Sequence, residues 1–160
     1  MKTIKNQIKL VKEKTDNLIK NFSKEHWHET PSVLESNLNW QIGHIILANY
    51  LHGIASISGA NEEYKAKVNI PNFIKYYGPK SDPKAHTDEK PSHEELLEMY
   101  DFTFSTIYKG IENLSLDDLE NKTEIPNPAA TTKYEALLLL SQHQSWHNGQ
   151  IAVLNRVLNS

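Results

Sequence analysis

Two histidines stand one helical turn apart in LLSQHQSWHNGQIAVL, residues 139 to 154. They are His143 and His147, in a stretch where an apolar helix needs only hydrocarbon. Imidazole is the side chain that carries a lone pair or a proton near neutral pH, and it is the commonest metal ligand. Four residues along a helix is about 40° around and about 6 Å up the axis, so both rings can converge on one point. A third histidine, His44, falls within NWQIGHIILANYLHGI, residues 39 to 54, again on an apolar stripe.

Three imidazoles from two helices define a nitrogen-rich site with the ligand count of a catalytic centre rather than a closed structural one. Imidazole suits zinc, nickel, copper and ferrous iron alike. The competing reading is a buried polar cluster in which His44, His143, His147 and Gln144 satisfy one another. Either way the rings need partners, since burying an unpaired polar group costs about 1–3 kcal/mol. Gln150, about one turn beyond His147, is placed to orient a ligand or water from behind the site.

The remaining histidines read differently. His52 follows His44 by eight residues, about 80° around and about 12 Å along an α-helix, too far to share an ion. His26 and His28 in HWHE belong to a solvent-facing turn, His86 to a long connection and His93 to the first turn of a helix. Trp40 and Trp146 flank the histidines and read as packing residues. There is no cysteine, which removes thiolate ligands and a cysteine nucleophile. No glycine-rich phosphate loop or nucleophile elbow is present. The apolar stripes carry no carboxylates, which favours one ion over a di-iron carboxylate centre.

The elements that must position these groups are helices. Ile4, Ile8, Val11, Leu18 and Phe22 form one stripe at alternating steps of three and four, interrupted by Thr15. Trp40, Leu47, Leu51 and Ile54 form a second; Leu97, Tyr100, Phe104, Ile107, Ile111 and Leu114 a third. The fourth runs Leu137, Leu140, Ile151, Leu154 and Leu158, with Gln144 and His147 in its gaps. Such spacing keeps each set on one side of a helix. Ser92 and Glu95 form a capping-box pattern, Ser36 or Asn37 can cap the second helix, and Thr131 or Thr132 the fourth. Residues 60 to 91 make a long proline-containing crossover, whose IPNFIKYYG stretch can pack as a lid over one end. No segment alternates with period two. The expectation is one all-α domain over residues 1–160, a four-helix bundle without a sheet.

A net charge of −3 argues against affinity built on phosphate neutralisation, and so against nucleic acid. Lys2, Lys5, Lys9 and Lys12 share a helical face, which is a solvated surface or a docking face for an acidic partner. The charged N-terminus lacks a signal-peptide core, and no run reaches the roughly 20 apolar residues of a membrane span. A soluble cytoplasmic protein is expected.

The sequence resembles the DinB/YfiT-like superfamily. The resemblance rests on NWQIGHI, residues 39 to 45, and HQSWHNGQI, residues 143 to 151, in that order, and on the long connection between helices two and three. It implies an up-down-down-up bundle with a divalent metal, often nickel or zinc, held by His44, His143 and His147. It also implies a homodimer and a reaction of the thiol-dependent transferase or hydrolase kind on a small molecule, with a low-molecular-weight thiol as cosubstrate. The alternative is a non-catalytic, metal-braced bundle acting as a binding or scaffold protein. One departure stands out. The family often has His-Arg-Gly-Gln where this chain has His147-Asn148-Gly149-Gln150, so any role of that arginine does not carry over.

Overall fold

The computed structural model describes residues 1–158. Four long helical stretches account for most of it. These are α1 (Lys2–Lys20), α2 (Leu38–Asn49), α6 (His93–Ile111) and α8 (Lys133–Leu158). Helix α2 does not stop at Asn49. It runs on through a π-helical turn, Tyr50–Ala55, into the short α3 (Ser56–Ser58). Helix α1 packs along α8, and α2 packs against both α6 and α8.

Helix starts follow the expected side-chain chemistry. Asn37 accepts the Trp40 N–H and opens α2, while Ser92 and Glu95 form a reciprocal capping box on α6. At α8, Thr132 accepts from the Glu135 N–H, and the Glu135 carboxylate accepts from the N–H groups of Thr131 and Thr132.

One expectation is corrected. The fold is mostly helical, compatible with the all-α class, but the expectation of no sheet fails, because β1 (Lys122–Asn127) pairs antiparallel with β2 (Ala130–Thr132) just ahead of α8. The inward positions of β1 are Thr123, Ile125 and Asn127, only one of them apolar, so no alternation was visible in the sequence. The long connection, residues 60 to 91, carries two short helices. It folds into α4 (Glu62–Lys67) and α5 (Ile70–Tyr77), each opened by an asparagine, Asn61 and Asn69, whose side chain accepts from the third residue on. Helix α5 lies against α2. The short α7 (Leu116–Glu120) precedes the hairpin, opened by a Ser115–Asp118 capping box.

The core joins Ile8, Ile42, Ile46, Phe104, Leu140 and Ile151, all fully buried. Beside it runs a polar seam. Gln144 donates to Thr15 Oγ1 (2.7 Å) and the Tyr100 hydroxyl (2.9 Å) and accepts from Asn49 (2.8 Å). Such a buried network, largely satisfied, fixes the mutual register of α1, α2, α6 and α8. Among the basic residues of α1, Lys12 pairs with Asp16 (2.9 Å) and Asp101 (2.8 Å), and Lys5 donates to the Glu112 carbonyl. Among the described residues no helix is long and apolar enough to cross a membrane.

Candidate metal centre

Helix α8 presents His143 and His147 on the side facing α2, where His44 projects toward them. The ligand nitrogens of the three rings all lie within 4.8 Å of one another. His143 Nε2 is 3.4 Å from His44 Nε2 and 3.3 Å from His147 Nε2. His44 and His147 are buried and His143 is half-buried.

The far side of two rings is anchored. His44 Nδ1 donates to the Tyr77 carbonyl oxygen at 2.6 Å, and His147 Nδ1 donates to Gln41 Oε1 at 2.5 Å. A carbonyl oxygen can only accept, so in each neutral ring the proton sits on Nδ1 and the lone pair on Nε2. Gln41 is fixed in turn, because its amide group donates to Ser36 Oγ and Gln150 Oε1, both at 2.7 Å. Gln150 thus acts on His147 through Gln41.

The approach of Tyr77 depends on Gly43. A Cβ placed there would meet the Tyr77 ring at 2.4–2.5 Å, far inside van der Waals contact. Glycine therefore lets α5 ride close enough over α2 for its last carbonyl to reach His44. Trp40 completes the support. It stacks on His44 with centroids 4.7 Å apart and planes 11° apart, and its Nε1 donates to Ser81 Oγ at 2.8 Å. Trp146, by contrast, is 58% exposed and meets the His143 ring edge-on.

Electrostatics keeps the rings neutral. Burial, followed by the neighbouring imidazoles, pushes His147 down to about 3 and His143 down to about 4. Burial also lowers His44, against the opposing effect of its bond to the Tyr77 carbonyl. Uncharged imidazoles with lone pairs are the form that binds a metal.

The residues fit an ion better than they fit one another. Gln144, which a purely polar cluster would need, turns away to Thr15, Tyr100 and Asn49. His143 Nε2 faces two lone pairs and has at most one hydrogen to offer, so one contact would set lone pair against lone pair. Two imidazole nitrogens each about 2.0–2.1 Å from a shared zinc ion stand roughly 3 to 3.4 Å apart, which matches the two separations measured from His143 Nε2. The cluster is compatible with a divalent metal.

A cavity of about 330 Å³ opens beside His44 and His143, walled by Leu47, Leu51, Ile70 and Ile74. His52 lines the same cavity, its ring centroid 6.2 Å from that of His143. It stays outside the three-nitrogen cluster, as the spacing required, yet it shares the chamber, which the spacing did not foresee. The cause is the π-helical turn. Its wider i→i+5 turns advance fewer degrees per residue than an α-helix, swinging His52 back toward the face that carries His44. The larger groove of about 560 Å³ along α1 and α8 is lined by none of the four. Asn148 belongs to that packing: its amide bridges to Thr15 (2.7 Å) and to the Val11 carbonyl, tying α8 to α1.

A family model described as the DinB superfamily matches residues 7–151, and the chain belongs to that superfamily. None of the curated proteins compared with the chain matches it.

Proposed function

We propose that this chain is a metal-dependent enzyme of the DinB type, a thiol-dependent transferase or hydrolase acting on a small molecule. Its four long helices run up-down-down-up, and His44, His143 and His147 hold one divalent ion, nickel or zinc. The carrying observation is the pair of 3.3–3.4 Å Nε2 separations between rings, two of which are anchored at Nδ1 by carbonyl oxygens. Such an ion supplies Lewis acidity, which lowers the pKa of a water or a small thiol toward neutrality.

The chain's own residues do the rest. Tyr77 and Gln41 hold two rings in the ligating tautomer, and Gln150 steadies Gln41 from behind. Leu47, Leu51, Ile70 and Ile74 keep the cavity apolar, which strengthens electrostatic interactions inside it. Three protein ligands beside an open cavity favour catalysis over a metal-braced scaffold, whose coordination would be closed. The reading includes a homodimer with a low-molecular-weight thiol as cosubstrate, and no nucleic-acid partner.

Cobalt(II)-loaded protein titrated with a small thiol such as 2-mercaptoethanol tests this reading. A new sulfur-to-metal charge-transfer band that saturates is expected. A spectrum indifferent to thiol, with the cobalt retained, would instead indicate a closed brace.

A further inference from the structure

His52 is buried, yet it takes no part in the three-nitrogen cluster. Its Nδ1 lies 2.8 Å from Asn127 Nδ2, and the same amide nitrogen donates to Ser56 Oγ at 3.0 Å. The orientation of Asn127 is not arbitrary, because its Oδ1 accepts the Ala129 N–H at 3.0 Å in the turn between β1 and β2. The nitrogen of the amide must then face the ring. An amide N–H can only donate, so His52 Nδ1 is the acceptor and the ring proton sits on Nε2. This is the opposite tautomer from His44 and His147. Those rings keep their Nε2 lone pairs, whereas His52 keeps an N–H, and among the described residues no hydrogen bond is formed from its Nε2.

The surroundings specify what such a donor could meet. The cavity that His52 shares with His44 and His143 is walled mostly by aliphatic side chains, with Tyr50 among them, and no Lys, Arg, Asp or Glu lines it. At about 330 Å³ it stands at the small end of the range for ligand sites. Away from the three-histidine end, a charged group would lose its hydration there without a counter-charge. An uncharged, mostly apolar molecule with one acceptor oxygen would bury its body and satisfy the donor.

We propose that His52 Nε2–H is a ligand-binding donor that orients an uncharged carbonyl-class substrate in this cavity, with Asn127 fixing its tautomer. The assignment deepens the metal-enzyme reading and rests on it for the word substrate. It explains why the π-helical turn occurs at Tyr50–Ala55, since that turn carries His52 to the chamber, with the Ser56 hydroxyl donating to the Leu51 carbonyl (2.7 Å) within the widened turn. It also gives the β1–β2 hairpin a task, which is to deliver Asn127.

The test uses the full chain with and without zinc, and N-methylbenzamide as an uncharged probe with one carbonyl. In ¹⁵N-resolved NMR, the His52 proton is expected on Nε2; a proton on Nδ1 would overturn the proposal. The probe should shift the Leu51 and His52 amide resonances saturably, with or without zinc. His52→Leu should raise its dissociation constant about fivefold to tenfold, the usual cost of one lost hydrogen bond. His52→Gln, which keeps an N–H near the same place, should stay within about twofold of the parent. Equal binding by folded His52→Leu, or no saturable binding by the parent, would overturn the proposal. Failure to retain zinc with both results intact would instead count against the metal reading alone.

Discussion

His44 donates from Nδ1 to the carbonyl oxygen of Tyr77 at 2.6 Å, across the contact between α2 and α5. The last carbonyl of a short helix thereby decides which nitrogen of a histidine faces the metal cluster. That bond exists because Gly43, the residue before His44, leaves room for the Tyr77 ring.

Gly43→Ala should therefore damage more than packing. The added methyl must push Tyr77 and α5 outward, at a cost of about 1–3 kcal/mol by the usual scale of overpacking. Urea denaturation should show the loss, and zinc affinity should fall with it as His44 loses its brace. Unchanged stability would mean that α5 has slack it does not show.

Gln41→Leu should leave the fold standing and weaken the site. It removes the acceptor for His147 Nδ1–H and releases Gln150. Losses of about 10- to 100-fold in metal affinity are typical when such a supporting partner is removed. Competition with a chromogenic chelator measures it, and Gln41→Glu, which keeps an acceptor, should retain most of the binding. Equal affinity in Gln41→Leu would show that His147 needs no orienting bond.

Metal-free protein should lose stability as pH falls from about 6.5 toward 4. In the unfolded chain these histidines titrate near 6.5. Folding holds His44, His52, His143 and His147 below that, with His143 and His52 at about 4 and His147 at about 3. In that window the unfolded state binds more protons, so stability rises with pH and declines on acidification. Urea midpoints compared at about pH 7 and about pH 5 isolate the histidines, because carboxylates titrate lower. A flat midpoint would contradict the burial assigned to these rings.

How much of this was legible beforehand depended on periodicity. The stripes of α6 and α8 stood out because both helices bury one face, and His147 and Gln144 fell in the gaps of an otherwise apolar series. Helix α2 was harder, since α5 covers it on one side and the core on the other. Its Trp40–Leu47–Leu51 stripe proved to be partly buried and largely cavity-facing, while Ile42, Ile45 and Ile46 form its deepest contacts. His44, His143 and His147 were found by counting turns. Tyr77 could not be, because a backbone carbonyl has no sequence signature. Gln41 left a trace, being a polar residue three before His44 in an apolar run. Counting turns kept His52 away from the three-nitrogen cluster, but its place in the cavity wall went unseen, because the count assumed an unbroken α-helix and nothing in YLHGIA announces a π-helical turn. Asn127 was hidden with the hairpin that carries it.

The most direct test is the metal content of the protein itself, made without a histidine tag and measured by elemental analysis after equilibration with zinc or nickel and desalting. The parent chain should keep about one ion per chain, and His147→Ala and His44→Ala should each keep almost none while remaining folded. A parent that retains no metal, or folded variants that retain as much as the parent, would contradict the three-histidine centre.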